Sequence, residues 1–442
     1  MALIQPFQGL RYNPLKISDL ASVVSLPYDV LTEKDREDLY RANPYNVVRL
    51  IWGKDLPGDG PQESKYLRAA RMLQDWQKER ILVREEEKVF YLYAQDFTIA
   101  AQGEKSRRGI VARVKLEALE SGTILRHEST FAGPKGDRLQ LLRATRANLD
   151  SVFTVYDGGS GKLKAMMDEE MALSPLLDMR DREDVRHRLW AITRPGDHDL
   201  IREEVAERQL FIADGHHRYE AALEYHREMI QKEAGGNREN PGHDYAMMVL
   251  IDMQDPGLII LPTHRLVGGM PGWNLEGFLA RAGEYFSVEE MKLPSAEGGR
   301  QRFIGLGLER EGRLGHSFGL YAGGDSIYFL RLRDEGVTDS LVRTGETGDL
   351  QKLDVTILDR LILNRLLGYQ GSGKDERIGY TPNMKEALRR VEDGICDLAF
   401  FLNPTTLQEV KSISLAGGRM PQKSTYFYPK LLSGLVINPH DA

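Results

Sequence analysis

One cysteine, Cys396, stands in a chain of 442 residues, which excludes an intramolecular disulfide and fits a reducing cytoplasm. It lies in the apolar run "GICDLAFFL", where a free thiol packs as a small core side chain. A long hydrophobic run is also lacking. Nothing approaches the roughly 20 apolar residues that span a bilayer, so no membrane partner is expected. The opening "MALIQPFQGLRYNP" has no basic stretch followed by an apolar core, and no signal peptide is expected. Nor is there an excess of positive charge: at a net −7, a general nucleic-acid binder working by phosphate neutralisation is not expected. Internal repeats and low-complexity tracts are missing too, which sets aside solenoids and arrays.

What remains is an ordinary globular composition, 41% hydrophobic and 28% charged, in a length suited to two or three domains. The chain divides into an N-terminal mixed α/β segment (1–104), a core (105–270) and a C-terminal mixed α/β segment (271–442). In the first, "ASVVSLPYDVL" and "NVVRLIW" have strand character, and "TEKDREDLYRAN" is a helix capped by Thr32. Tyr66, Ala69, Ala70, Leu73 and Trp76 recur on one face of a 3.6-residue repeat, predicting a second helix. "KVFYLYAQDF" and "RRGIVARVKL" read as paired strands. The core alternates strand and helix signals, which favours α/β layering. A long helix over about 354–367 presents Leu358, Leu361, Ile362 and Leu366 on one face.

Five stretches carry chemistry. In "FIADGHHRYEAAL", Asp214, Gly215, His216, His217 and Arg218 connect a compact apolar strand to a helix. An N-cap and a turn account for Asp214 and Gly215. Three consecutive potential cations in a first helical turn oppose the helix dipole unless an anion sits among them, so the stretch predicts an anion site. Adjacent histidines point apart, which disfavours zinc there. "RHESTFAGPKGDR" (126–138) holds His127, Glu128, Lys135, Asp137 and Arg138 around a Gly133-Pro134 turn. A glutamate at a strand end beside cations suits a general base next to that anion, although such a run also suits a solvated loop. His264 and Arg265 in "LPTHRL" follow an apolar strand and suit a structural role or a ligand contact. Lys423 and Lys430 flank the aromatics of "STYFY", fitting either core packing or a cover over a nucleotide. "GYQGSGKD" (368–375) mimics a phosphate loop, but Asp375 replaces the magnesium-binding hydroxyl and the stretch follows a helix; Gly368 reads as a C-cap.

Taken together, "PFQGLRY", "HESTFAGPKGDR", "ATRANLDSVFTVY", "ADGHHRYEAA", "LPTHRL", "LDVTILDRLIL" and "KSTYFYPKLLSGLV" resemble the family called domain of unknown function 1015 over nearly the whole chain. Asp359 departs from the pattern, where a histidine is expected. The "ADGHHR" turn is similar to the Asp-Gly-x-His-Arg turn of the ParB/sulfiredoxin-like superfamily, which includes sulfiredoxin, partition proteins and kinases of free serine. The resemblance implies an α/β (α+β) fold, with a ParB/sulfiredoxin-like nucleotide-binding core between the two mixed segments. It implies that Asp214, Gly215, His216, His217 and Arg218 hold nucleotide phosphates. It also implies a base at Glu128, beside His127; in a phosphoryl transfer at such a site Lys135 and Arg138 are the expected cations to neutralise the transferred group.

The expected function is thus a small-molecule kinase using ATP or ADP with Mg2+, the ion held through water by Asp214 or Asp137, and L-serine as acceptor. Asp137, His264, Arg265, Lys423 and Lys430 are candidate further contacts. A nucleotide hydrolase or nuclease, or a non-enzymatic nucleotide sensor, is the alternative. Sulfiredoxin chemistry is disfavoured because position 216 is His and not Cys.

Overall fold

The computed structural model describes residues 1–99, 102–232, 241–341, 348–369 and 375–440. The protein is mixed α/β and its chain forms two compact units. The first unit takes residues 1–126, 130–259 and 429–442; the second takes 127–129 and 260–428.

The first unit is built on a nine-stranded sheet. Its strands are β1 (Ile4–Gln5), β2 (Phe90–Ile99), β3 (Gly103–Lys115), β4 (Ile124–Leu125), β5 (Val152–Tyr156), β6 (Leu177–Arg180), β7 (Arg186–Ile192), β8 (Leu210–Asp214) and β9 (Tyr245–Asp252). They lie in the order β4-β8-β5-β9-β3-β2-β7-β6, with β1 added on β3. Only β4 with β8 and β5 with β9 run parallel; the other pairs are antiparallel. The strand and helix alternation therefore builds a mixed sheet. The paired strands read from residues 88–116 are β2 and β3, in register at Tyr91 and Val111.

Helix α1 (Glu33–Ala42) starts as predicted at Thr32, whose hydroxyl accepts from the Asp35 amide while Asp35 returns the bond. "NVVRLIW" is not a strand but the short helix α2 (Val48–Ile51). Asn46, fully buried, donates to the Ser22 and Val24 carbonyls and accepts from the Val48 amide, and these contacts override β-propensity. "ASVVSLPYDVL" likewise forms no strand: its first two residues complete a 3-10 turn, Leu20–Ser22, capped by Asp19, and the rest is turn and loop with an isolated bridge at Ser25. Helix α3 (Lys65–Lys78) buries Ala69, Leu73 and Trp76, the predicted face. Helices α4 (Ala132–Thr145), α5 (Gly161–Met171), α6 (Pro195–Ala206) and α7 (His216–Lys232) complete the unit as it concerns the site. Gly133-Pro134 is not a turn: both residues lie in the first turn of α4, where a proline has no intrahelical bond to lose. One core joins Leu92, Ala112, Leu142, Ile212, Tyr219 and Met248 between sheet and helices.

The second unit contains a six-stranded antiparallel sheet of β10 (His264–Val267), β11 (Phe286–Lys292), β12 (Ser317–Tyr321), β13 (Ser326–Leu332), β14 (Ile378–Thr381) and β15 (Leu398–Leu402), ordered β11-β13-β12-β15-β10-β14. The predicted 354–367 helix begins as α8 (Asp354–Ile357) and continues in π-helical geometry over Leu358–Leu366, burying Leu358, Leu361 and Ile362. Gly368 follows with a φ of 77°, the left-handed value of a helix stop. Gly373 and Lys374 of the phosphate-loop look-alike lie outside the described residues. No helix among the described residues is long and apolar enough to cross a membrane.

Candidate functional site

In the first unit, β8 reaches its last residue through a bulge. Ile212 and Asp214 oppose Thr154 and Phe153, consecutive residues of β5, so Ala213 is the extra residue. The chain turns at Gly215, φ 89°, and α7 begins at His216. A Cβ at Gly215 would stand 2.9 Å from the Cζ and the Nε of Arg218. Glycine thus serves twice, permitting the left-handed turn and the guanidinium lying against it.

Asp214 sits between two cations. Its Oδ1 accepts from Lys430 Nζ at 2.9 Å and its Oδ2 from Arg218 Nη2 at 2.7 Å. Burial pushes the carboxyl up, but the charges of Lys430 and Arg218 outweigh it and hold Asp214 well below the usual carboxylate range. Burial alone would lower Arg218, yet Asp214 and then Asp29 and Asp150 raise it above its ordinary value. Arg218 Nη1 donates to the Ser151 carbonyl. The guanidinium is thereby fixed to strand and turn, and Lys430, read in the sequence as one of two equivalent flanking lysines, is the partner that holds the aspartate.

His217 faces another helix. Its Nε2 accepts the backbone N–H of Phe131 at 3.0 Å, which places the ring proton on Nδ1. Phe131 is the N-cap of α4 and offers that helix no side-chain cap; Gly215, before α7, has no side chain to offer. Neither helix has an acidic residue in its first turn. Two helix amino ends therefore meet at His217, each with a positive dipole end that nothing acidic in its own first turn offsets. His216 is buried in the first turn of α7, and Lys135 lies half-buried in the first turn of α4.

The remaining residues of the charged stretch are tied down. Arg138, with its side chain 6% exposed, donates through Nε to Asp137 Oδ2 at 3.0 Å and stacks over the Tyr28 ring at 3.8 Å. Asp137 also accepts from Tyr66 Oη at 2.9 Å and lies 3.5 Å from Lys65. Burial raises its carboxyl, and Arg138 reverses this to leave it below normal. Arg138 and Arg218 line one cavity of about 50 Å3 with Leu141, Asn148 and Asp150. Glu220, which carries no sequence signal of its own, accepts from Arg126 and from Thr130 Oγ1 at 2.6 Å.

The second unit holds the other candidates. His127 is buried, its Nε2 3.1 Å from Thr425 Oγ1, and Glu128 forms a parallel bridge with Met420. His264 packs edge-on against Phe401 at 5.0 Å, and burial with the Arg265 charge lowers it to about 3. Arg265 is fully buried, donates to the Thr263 carbonyl and lies 5.1 Å over the Tyr380 ring; its charge is coupled to Asp359 and Glu128. Lys423 is exposed with a φ of 57°.

Among solved structures, the chain is similar to a free serine kinase in complex with AMP, at 14% identity and a TM-score of 0.33, covering 72% of this chain and 86% of that one. A conserved hypothetical protein from Pyrococcus furiosus aligns at 14% identity and a TM-score of 0.34, over 75% and 96% of the two chains. SbnI with a C-terminal truncation, from Staphylococcus aureus, aligns at 9% identity and a TM-score of 0.32, over 73% and 85%. No curated protein matches the chain. The family described as protein of unknown function (DUF1015) matches residues 4–356, and the chain belongs to that family.

Proposed function

We propose that the protein is a nucleotide-dependent phosphotransferase acting on a small hydroxylated acceptor, with free L-serine the first candidate and ATP or ADP the donor. One observation carries this reading: the amino ends of α4 and α7 meet at the His217–Phe131 contact without acidic residues in either first turn. Paired helix starts of that kind favour a polyanion. Gly215, His216 and His217 would receive the phosphates, and the Lys430–Asp214–Arg218 chain of contacts fixes the turn. Arg218 is thus a positioning residue. Lys135 supplies charge for the transferred group, and Arg138 contributes through the field of its fixed guanidinium. Phosphoryl transfer asks for little beyond such positioning and neutralisation. For the acceptor's proton we propose Glu128, with His127 beside it in sequence.

Asp214 and Asp137 each already bind two or more donors, so neither fits as a direct magnesium ligand. A magnesium ion arriving with the nucleotide would be held by phosphate oxygens and water, as that ion keeps much of its hydration.

The test is calorimetry with ATP and ADP, with and without Mg2+, followed by a coupled assay with L-serine. His217→Ala and Arg218→Ala are expected to weaken nucleotide binding. Glu128→Gln is expected to bind nucleotide normally and lose turnover by about a hundredfold or more. Absence of nucleotide binding by the wild type overturns the reading. Turnover without acceptor would identify a hydrolase, and binding without turnover a sensing module.

A further inference from the structure

We infer that His226, His243 and Asp244 form a binding site for a divalent ion of the zinc class. All three lie in the first unit. His226 is in the third turn of α7, and His243 and Asp244 belong to the 3-10 turn Gly242–Asp244 that leads into β9. One ligand atom from each lies within 4.8 Å of the others. His226 Nδ1 is 3.1 Å and His243 Nε2 is 3.8 Å from Asp244 Oδ1. Zinc bonds of about 2.0–2.1 Å place tetrahedral ligands about 3.4 Å apart, and the two separations bracket that value. Small side-chain rotations suffice to close the set.

The surroundings support a ligand. His440 has both ring nitrogens buried with no hydrogen-bond partner among the described residues. Its ring is 5.9 Å from that of Tyr225, which lies edge-on to His243 at 6.4 Å. A Cβ on Gly242 would come within 2.4 Å of the His440 Cα, so glycine lets these two backbones meet beside the cluster. Arg113 and Lys115 on β3 act on the cluster electrostatically and oppose a cation. Arg113, however, lies 4.7 Å over the Tyr245 ring.

Two imidazoles and one carboxylate suit zinc or a neighbouring first-row ion; magnesium and calcium prefer all-oxygen sites. Three protein ligands leave a fourth position open. Such an ion would pin α7 to the start of β9, ten residues along the helix from the turn at His216, or about 15 Å. It is independent of the nucleotide reading.

Untagged full-length protein, stripped with a chelator, is titrated with Zn2+ against a chromophoric competitor and separately with Co2+, without nucleotide. One ion per chain is expected, with intense tetrahedral cobalt absorption. His226→Gln and Asp244→Asn, each checked by circular dichroism, should weaken zinc by about a hundredfold or more. Equal affinity in wild type and folded variants overturns the site. Weak octahedral cobalt bands in the wild type do so even if neither variant folds.

Discussion

Asp214 links a charge on the helix to a charge near the chain's far end, and its replacement shows what that link is worth. Asp214→Asn leaves Lys430 and Arg218 facing a neutral amide in a buried setting, where losing one partner costs about 3–5 kcal/mol. Urea unfolding at pH 7 should show a loss of that size. Because the folded carboxyl titrates below its ordinary value, its contribution is fully present above the unfolded value of about 3.9 and fades as pH falls through the folded one. Repeating the unfolding at pH 3 should therefore narrow the gap between wild type and variant. A gap unchanged between the two pH values would mean that the Asp214 carboxyl titrates alike in the folded and the unfolded chain, so that Lys430 and Arg218 do not hold it down. Gly215→Ala tests the turn itself. The left-handed conformation alone costs about 1–2 kcal/mol, and Arg218 must also shift. Both the melting temperature and nucleotide affinity should drop.

At the scale of elements, His217 supplies to α4 an acceptor that α4 lacks at its own start. His217→Ala should cost roughly 0.5–2 kcal/mol without any nucleotide, as the loss of a cap does. Amide exchange should localise the loss to residues 131–135; an effect confined to α7 would refute the assignment. Lys374→Ala, in the phosphate-loop look-alike, should leave nucleotide affinity unchanged. Local patterns were readable wherever local forces decide. Thr32 with Asp35, the buried stripe of α3 and the strand before Gly215 all follow from residues within a turn or two. At "NVVRLIW" the structure departs from the strand pattern, because Asn46 bonds to carbonyls more than twenty positions earlier. Propensity cannot anticipate a contact of that range. The Ala213 bulge was hidden for a similar reason: register depends on which strand lies alongside.

Across the whole molecule, the site is only half local. The turn was visible because its residues are consecutive, whereas Lys430 joins Asp214 across 216 positions and nothing near it in sequence says so. Residues 429–442 fold with the first unit, bringing Lys430 to the aspartate, Ile437 into the core beside Leu10, and Asn438 to the Asn148 side chain at 2.8 Å. Ending the chain at Tyr428 should thus broaden the first unit's unfolding and abolish nucleotide binding; calorimetry on that shortened chain checks both. The chain crosses between the two units four times, after Arg126, Ser129, Ile259 and Tyr428. On the ribosome, that order has a cost in time. Domains that are continuous in sequence can fold as they emerge, amino-terminal first. This first unit cannot close its own core until the segment that begins at Pro429 has been made, so the nascent strands Phe90–Ile99 and Gly103–Lys115 must wait, exposed or chaperoned, while the whole second unit is synthesised.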